Sequence, residues 1–281
     1  MKAGQASRTA ELVCMGRAVA HGRSPVARFD DPTAIELLAE ESRERVRQVR
    51  AGAPVKGLRA NLRREYLQRQ STSMVARTVA IDDEVRAAAS PQVVILGAGL
   101  DGRAWRMSEL REVTVFEVDH PDTQRVKRSR VPTLERHAKE IRFVAVDFER
   151  DSLDEALEKA GHDSAKPTTW IWEGVVMYLA RADIEKTLAV IAERSAKRSR
   201  LVIAYHQPAL ILHFLGPILR RIGEPLRTAL TPTQMKALLD KYGFDVVRDR
   251  DMHEIGASLG AEVEQGTKTL RHQRIVAADR V

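Results

Sequence analysis

The sequence predicts an α/β protein built on a seven-stranded, mostly parallel sheet. From about residue 90 onward, short apolar segments alternate with segments of helical periodicity, which is typical of parallel strands joined by helices. The first apolar segment, residues 92–96, ends abruptly in a glycine-rich turn, and the next strand ends in a carboxylate at Asp119. These observations favour a Rossmann-like sheet that binds a ligand at the carboxyl ends of its strands.

The strand and helix patterns give each element of the sheet region in order. The last strand has no helix after it, so we expect it to run antiparallel. Residues 206–230 form a long apolar segment that we predict to be a helical lid over the site. The predicted strands lie at about 92–96, 113–118, 141–146, 168–173, 200–205, 244–249 and 271–278, and the helices at about 103–110, 122–130, 151–160, 181–197 and 231–242.

The first 90 residues have helical patterns throughout and predict an N-terminal cap. Asp31 followed by Pro32 has the pattern of a helix N-cap with proline at the first helical position. We therefore expect two parts, a helical cap over residues 1–90 and a ligand-binding sheet domain over residues 91–281. Further helices are expected to begin near Ser7 and to cover residues 58–79 and 82–89.

Composition limits the function classes. The chain has 281 residues and a net charge of +7, but acids are interleaved with bases, as in residues 40–45, and basic residues do not alternate with aromatic ones. A solvated helix surface therefore fits better than a nucleic-acid interface. The single cysteine, Cys14, excludes a disulfide framework or a cysteine metal site. We expect a cytoplasmic protein with no metal, no nucleic acid and no membrane partner.

The turn after the first predicted strand reads Gly97-Ala98-Gly99-Leu100-Asp101-Gly102. This spacing fits the fingerprint of dinucleotide-binding sheets, in which glycines let a ligand approach the backbone. Asp101 would repel a pyrophosphate, and Arg103 would offset only part of that repulsion. An acid there suits a cofactor with a cationic centre and no phosphate, so the turn favours S-adenosylmethionine over a dinucleotide. A glycine turn without a ligand is the alternative.

Acidic residues follow the next three predicted strands. Asp119 lies about twenty residues beyond the glycines, where a carboxylate can accept both ribose hydroxyls of a nucleoside. Asp147 could bind an adenine amino group, with Phe148 flanking the ring, or it could cap the next helix. Glu173 follows an apolar strand and needs a cationic partner, which is either a ligand's ammonium or sulfonium group or a neighbouring arginine.

Arg77 stands in an otherwise apolar stretch, residues 74–79, just before the sheet begins. An arginine fork in this position can hold a carboxylate, such as that of the methionine part of the donor. Taken alone, Arg77 also fits a surface position, so its role depends on the motifs around it.

An ordered series of short motifs resembles the leucine carboxyl methyltransferase family. The resemblance is strongest to its bacterial branch of proposed S-adenosylmethionine-dependent O-methyltransferases, and it runs from about residue 5 to residue 250. The series is far more specific than the glycine turn alone. The motifs are Ser7-Arg8-Thr9-Ala10, Phe29-Asp30-Asp31-Pro32, Arg77-Thr78 with Ile81-Asp82-Asp83, Leu96 to Asp101 with Arg103, Phe116-Glu117-Val118-Asp119-His120-Pro121, Trp172-Glu173-Gly174 with Tyr178-Leu179, and Gly223-Glu224-Pro225-Leu226.

The resemblance implies a class I methyltransferase fold with a helical N-terminal cap. One departure from the family is Gly102, where many relatives have a small hydroxyl residue. By match to the family's motifs, the donor-binding residues are Arg77 and Arg8 for the carboxylate, Glu173 for the amino group, Gly97 and Gly99 for the methionine part, Asp119 for the ribose, and Asp147 with Phe148 for the adenine.

The residues that act on the methyl acceptor are less well defined. A carboxylate acceptor needs no base because the sulfonium methyl is already activated, whereas a hydroxyl acceptor needs one. Our candidate catalytic residues are Tyr178 and His206, which follow predicted strands, and His120 is a third; packing or capping is the alternative for each. The apolar residues 210–215 favour a hydrophobic, secondary-metabolite-like acceptor, unless they pack a helix on the sheet.

Three other functions stay open at this point. The bound donor could react with itself by cyclising its aminobutyrate arm, which would release methylthioadenosine. The protein could bind S-adenosylmethionine without turning it over, as a sensor or partner subunit. An NAD-dependent oxidoreductase is the third, but the sequence shows no evident hydride-transfer constellation. A protein substrate such as a phosphatase tail is possible by family, and no residue identifies it.

Overall fold

One seven-stranded sheet forms the centre of the protein. The computed structural model describes residues 8–52, 57–148, 150–209 and 226–281. The order across the sheet is β3-β2-β1-β4-β5-β7-β6, with β1 to β5 parallel and β7 antiparallel to β5 and β6. The predicted mostly parallel sheet and its antiparallel last strand are confirmed. The strands are β1 (Gln92–Leu96), β2 (Thr114–Asp119), β3 (Glu140–Ala145), β4 (Thr168–Trp172), β5 (Arg200–His206), β6 (Phe244–Asp251) and β7 (Gln273–Arg280).

Helices cover both faces of the sheet and form the N-terminal region. Single 3-10 turns follow at residues 108–110, 131–133 and 176–178. The helices are α1 (Arg8–Ala20), α2 (Thr33–Glu36), α3 (Glu40–Ala51), α4 (Leu58–Ala88), α5 (Arg103–Arg106), α6 (Pro121–Arg130), α7 (Leu153–Lys159), α8 (Arg181–Glu193), α9 (Pro232–Lys241), α10 (Met252–Ala257) and α11 (Ala261–Thr267). No helix in these ranges is long and apolar enough to cross a membrane.

Two helix predictions need correction. The separate helices expected at 58–79 and 82–89 are one continuous helix, α4, because the linking residues Ala80 and Ile81 are helix-compatible and buried. The sequence interpretation also placed no helix between residues 249 and 271, where α10 and α11 lie. The N-cap of α10 is Asp251, whose side chain accepts a hydrogen bond from the Glu254 N–H in a capping box.

The strands alternate their side chains between two apolar layers. Ile95, Ile171 and Ala204 face a layer that includes buried residues of α4, whereas Trp172 and Tyr205 face the layer of α8 and α9. Because successive side chains point to opposite faces, the residues that follow Trp172 and Tyr205 fall on the α4 side. The strand ends at Glu173 and His206 are therefore directed towards the N-terminal helices.

The N-terminal helices have an apolar core of their own, which also includes a residue of the glycine turn. Cys14 of α1, Leu37, Val46 of α3 and Leu67 of α4 pack together with Leu100, and all are at most 5% exposed. Leu100 belongs to the turn that follows β1, so burial of this core fixes the helices directly against the turn.

The predicted lid begins and ends at the carboxyl edge of the sheet. Its central residues, 210–225, lie outside the described residues. The chain returns along the loop after β4, where the Arg227 N–H donates to the Met177 carbonyl (2.8 Å) and the Thr228 hydroxyl to the Leu179 carbonyl (2.6 Å). The Leu230 N–H then donates to the His206 carbonyl (2.9 Å). These bonds fix the second end of the segment beside β4 and β5.

Candidate active site

The glycine turn after β1 is tightly packed against the neighbouring strand ends. Gly97 and Gly99 both have positive φ angles, 68° and 51°, which side chains rarely allow. The N–H groups of Gly97 and Ala98 both donate to the Val118 carbonyl at the end of β2 (2.8 and 3.0 Å). A Cβ atom at Gly97 would clash with the Val175 side chain. Only glycine therefore fits this tight connection between β1 and the loop after β4.

Asp119 stands at the end of β2 and is bound to that turn. Its Oδ2 accepts a hydrogen bond from the Gly99 N–H (2.5 Å), and its Oδ1 accepts one from the His120 N–H (2.6 Å). Burial raises the pKa of Asp119, although both backbone hydrogen bonds act against it. A carboxylate has about four lone-pair sites, so the fixed side chain can still accept hydroxyl groups.

Asp101 is held by Arg103 and does not stand alone in the turn. One carboxylate oxygen accepts from the Arg103 backbone N–H (2.7 Å), and the other pairs with its guanidinium. Burial acts to raise the pKa of Asp101, but the charge of Arg103, followed by those of Lys127 and Arg17, outweighs it and lowers that pKa to about 2. Asp101 is therefore ionised and neutralised by the protein itself.

Glu173, directly after β4, has an arginine on each carboxylate oxygen. Arg77 Nε lies 2.7 Å from Oε1, and Arg103 Nη1 lies 3.1 Å from Oε2. Burial acts to raise the pKa of Glu173, but the charges of Arg77 and Arg103 lower it. The sequence left open whether Glu173 pairs with a ligand or with an arginine, and this structure contains the arginine pairs.

A continuous set of ion pairs leads from this site into the N-terminal helices. Arg103 Nε contacts Asp82 (2.7 Å), and Asp82 also contacts Arg106 (2.7 Å). Arg106 Nε lies 3.7 Å from Asp31, which pairs with Arg17 (2.8 Å). The Arg17 guanidinium also donates to the carbonyl of Leu100 in the glycine turn (2.6 Å). Each side chain in this set has an oppositely charged neighbour.

We call this set the charged chain. It has four arginines and four carboxylates, so its formal charges cancel. Burying ions is costly unless they are paired and hydrogen-bonded, and truncating one partner leaves the other uncompensated. The charged chain therefore links helices α1, α2 and α4 to the glycine turn and to the end of β4. Its members are Arg17, Arg77, Arg103, Arg106, Asp31, Asp82, Asp101 and Glu173.

The departure at Gly102 has a local explanation. A Cβ atom there would clash with the Thr33 hydroxyl, which donates to Asp31 (2.7 Å). Asp31 also accepts the Ala34 N–H (3.0 Å), although the N-cap position of α2 is taken by Pro32 and not, as predicted, by the residue before it. The Thr33 hydroxyl thus occupies the space that a side chain at position 102 would need.

Asp147 and Phe148 follow β3, at the edge of the sheet. Ser152, not Asp147, caps α7, because its side chain accepts the Glu155 N–H (3.3 Å). The capping alternative for Asp147 is therefore wrong. Asp147 is half-buried, and Phe148 beside it is 38% exposed.

His206 ends β5 close to Arg77 and packs against His272. The centroids of the two imidazole rings are 5.5 Å apart, and the rings are arranged edge to face. Burial, His272 and the charge of Arg77 lower the pKa of His206 to about 4. Its Nδ1 atom is buried and has no hydrogen-bond partner among the residues described here. At neutral pH, His206 is therefore an uncharged imidazole beside the charged chain.

The remaining candidates have mixed positions. Tyr178 ends the 3-10 turn after β4 and is half-buried. His120 is the N-cap of α6 and accepts the Asp122 N–H (3.2 Å), which is the capping role weighed for it. Arg8 begins α1, but its side chain lies outside the described residues.

Sequence reasoning gave no ligand-site role to several residues of this edge. Asp82 and Asp31 were part of the motif series, and their signal was an acid next to buried apolar residues. Arg17 and Arg106 carried no comparable signal, because isolated arginines on helices are usually solvated. His272 was also missed, since it precedes β7 and reaches His206 only through the antiparallel pairing of β5 and β7.

Comparison with known proteins decides the family. A profile described as leucine carboxyl methyltransferase matches residues 10–192 of the chain. The chain belongs to this family. The family recognised from the motifs is thus confirmed, and the matched region contains the glycine turn and the charged chain.

The curated relatives are described as methyltransferases that use S-adenosyl-L-methionine. A proposed S-adenosyl-L-methionine-dependent methyltransferase of Streptomyces coelicolor is 41% identical over 147 residues, covering 50% of this chain and 51% of the relative. Another from Mycobacterium sp. (strain JLS) is 35% identical over 207 residues, covering 72% of this chain and 66% of the relative. The matched part thus spans about half to two thirds of the relatives' length.

Two solved structures support the fold. A DUF574 family protein of Streptomyces avermitilis has a TM-score of 0.64 at 12% identity, with 99% of both chains covered. A proposed methyltransferase of Thermobifida fusca has a TM-score of 0.56 at 14% identity, covering 95% of this chain and 94% of that chain. At these identities the likeness shows the fold alone, and it agrees with the predicted fold class.

Proposed function

We propose that the protein is a cytoplasmic S-adenosylmethionine-dependent O-methyltransferase that acts on a carboxylate or hydroxyl group of a small, hydrophobic acceptor. Family membership supports methyl transfer. The observation that carries the donor site is the pairing of Arg77 with Glu173 beside the glycine turn and Asp119. These groups match the carboxylate, the ammonium group and the ribose of the donor.

The charges fit the amino-acid part of S-adenosylmethionine. Arg77 Nε lies within ion-pair distance of Glu173, but it is buried and donates no hydrogen bond to a described residue. An arginine whose ion pair lacks hydrogen-bond alignment can turn to a ligand carboxylate, and Glu173 suits a ligand ammonium group. Binding of the ligand's zwitterion would thus break the pair between Arg77 and Glu173 and form two new pairs, one with each residue. No buried charge is left unpaired.

The other donor groups follow along the strand ends. Asp119 would accept the ribose hydroxyls, Asp147 the adenine amino group, and the exposed Phe148 ring would cover one adenine face. Gly97 and Gly99 would lie against the methionine part, and Arg8 is a second candidate for the carboxylate. Each assignment follows the family's motifs, and the polar atoms on β1, β2 and β4 meet at one edge of the sheet.

The bound donor supplies an activated methyl group on a sulfonium centre. The protein's residues then place and, where needed, deprotonate the acceptor. A carboxylate acceptor needs no base. For a hydroxyl acceptor, His206 is our candidate base: its ring is neutral at physiological pH and can accept a proton, although the lowered pKa makes it a weaker base than an ordinary histidine. Tyr178 would then position the acceptor from the turn after β4.

A product analysis tests this function. The purified protein is incubated with S-adenosylmethionine and a small-molecule cell extract, and nucleoside products are measured by mass spectrometry. S-adenosylhomocysteine is the expected product, together with a methylated acceptor. Methylthioadenosine formed without extract would instead mean that the donor reacts with itself. Donor binding without any product would favour a nonenzymatic binding protein.

A further inference from the structure

Glu173 is held by two arginines that differ in their own surroundings. Arg77 approaches Oε1 at 2.7 Å without hydrogen-bond alignment, whereas Arg103 donates a hydrogen bond to Oε2 (3.1 Å). The Arg103 side chain is 4% exposed, and that of Arg77 is 12% exposed. The two arginines therefore contact different oxygen atoms of the same carboxylate, and only Arg103 does so with hydrogen-bond geometry.

Arg103 is fixed by three carboxylates at once. Its Nε donates to Asp82 (2.7 Å), and its Nη1 contacts both Asp101 and Glu173. Its own backbone N–H donates to Asp101 (2.7 Å). A planar guanidinium with five N–H donors can satisfy such a set, and a lysine ammonium group cannot match its geometry. Arg103 is thus anchored independently of Glu173.

We propose that Arg103 is a positioning residue for the methyl donor, which holds Glu173 aimed at the donor's ammonium group once the donor's carboxylate has drawn Arg77 away. This inference rests on the proposed donor site. In that arrangement the ammonium group takes the place of Arg77 at Oε1, and Arg103 stays on Oε2.

The electrostatics favour a second arginine beside Glu173. Burial disfavours the ionised form of Glu173, and Arg77 is the strongest opposing charge, followed by Arg103. When Arg77 turns to a ligand carboxylate, its attraction for Glu173 weakens. Arg103 then remains as a fixed positive charge that favours the ionised carboxylate, which is the form that pairs with the ligand's ammonium group.

Two ligands separate this role from a general structural one. S-adenosylhomocysteine contains the adenosine and the amino-acid parts, whereas methylthioadenosine lacks the amino-acid part. The full chain and the variant Arg103→Lys are titrated with both ligands by calorimetry. The matched control is Arg106→Lys, because Arg106 is equally buried and also pairs with Asp82, but its described contacts are with Asp82, Asp31 and Asp30.

The expected result is a selective loss of affinity. Arg103→Lys should raise the Kd of S-adenosylhomocysteine by roughly tenfold or more and leave that of methylthioadenosine within about twofold. Arg106→Lys should change both by less than about threefold at a similar loss of thermal stability. Arg103→Gln, which keeps a hydrogen-bond donor without the charge, is the second variant if the lysine variant does not fold.

Two results would overturn the inference. An equal loss of affinity for both ligands in Arg103→Lys would make Arg103 a structural residue only. Unchanged affinity for S-adenosylhomocysteine would show that Glu173 does not depend on it. Failure of the unmodified protein to bind S-adenosylhomocysteine is a different outcome, because it would overturn the proposed donor site and this inference with it.

Discussion

The two halves of the carboxyl edge are built differently. On the donor half, at the ends of β1, β2 and β4, the carboxylates of Asp119, Glu173 and Asp101 each make at least two hydrogen bonds or ionic contacts. On the acceptor half, at the end of β5, His206 packs against His272, and its Nδ1 atom is without a partner among the described residues.

This difference shows which side chains of the site the protein holds in place before a ligand binds. Side chains with several contacts are held in place, so in the donor half the proposed ligand has to displace only the contact between Arg77 and Glu173. The acceptor half is bounded by the base of the predicted lid and by neutral aromatic rings. We infer that the donor half sets the cofactor and that the acceptor half sets which molecule is methylated.

Removing the ribose acid should break the donor half most severely. Asp119→Ala removes the carboxylate that fixes the turn, and we expect the affinity for S-adenosylhomocysteine to fall by about 100-fold or more. Calorimetric titration measures it. Glu185→Ala, on α8 and partly exposed (29%), is the control and should leave affinity unchanged. An unaltered Kd in Asp119→Ala would refute the assignment of β2 to the ribose.

Changing His206 should affect the acceptor half alone. His206→Asn should lower the rate of methyl transfer to a hydroxyl acceptor by about 100-fold, because it removes the general base. The Kd of S-adenosylhomocysteine should stay within about twofold of the original. Steady-state kinetics with the acceptor identified by product analysis provides the test. A full rate in the variant would show that no base acts here, as expected for a carboxylate acceptor.

A methyl group at Gly97 should destabilise the glycine turn of the donor half. Gly97→Ala combines a positive φ angle with a clash against Val175, and we expect a loss of about 2–3 kcal/mol in the free energy of unfolding. Gly52→Ala is the matched control, since its φ angle is 64° and no atom lies within 4 Å of the added Cβ. It should lose only about 1 kcal/mol. Equal losses in urea denaturation would mean that the contact with Val175 is irrelevant.

The pH dependence of methyl transfer and of stability should report on His206 in the acceptor half. The pKa of His206 is lowered to about 4, so transfer to a hydroxyl acceptor should stay active below the ordinary histidine range and decline only towards pH 4. Folding is linked to the same group. As pH falls from 6.5 to 4, the unfolded chain binds a proton at His206 and the native protein does not, so stability decreases. His206→Asn should weaken this decrease in denaturation curves measured at several pH values.

Much of the donor half could be predicted from the sequence, because its signals are local. Gly97 and Gly99 adjoin a buried strand, and Asp119 and Glu173 directly follow strands, so topology alone brings them to one edge. The partners of these residues could not be predicted in the same way. Arg17, Asp31 and Arg106 reach the site only through the packing of the N-terminal helices, and that packing depends on long-range contacts that no short motif encodes.

The acceptor half shows the same limit more strongly. His206 was predicted from its strand end, but its contact with His272 depends on β7 returning between β5 and β6. The sequence interpretation also divided the continuous helix α4 in two at Ala80 and Ile81, which lie within its buried stretch. Residues 210–225, which the sequence assigns to the lid, lie outside the described part of the chain.

A crystal structure of the protein with S-adenosylhomocysteine would test the central claim most directly. We expect the ligand's carboxylate on Arg77, its ammonium group on Glu173 with Arg103 still bound to Oε2, and its ribose on Asp119. A structure in which the ligand is bound while Arg77 and Glu173 remain paired with each other, and neither contacts the amino-acid part, would contradict the account.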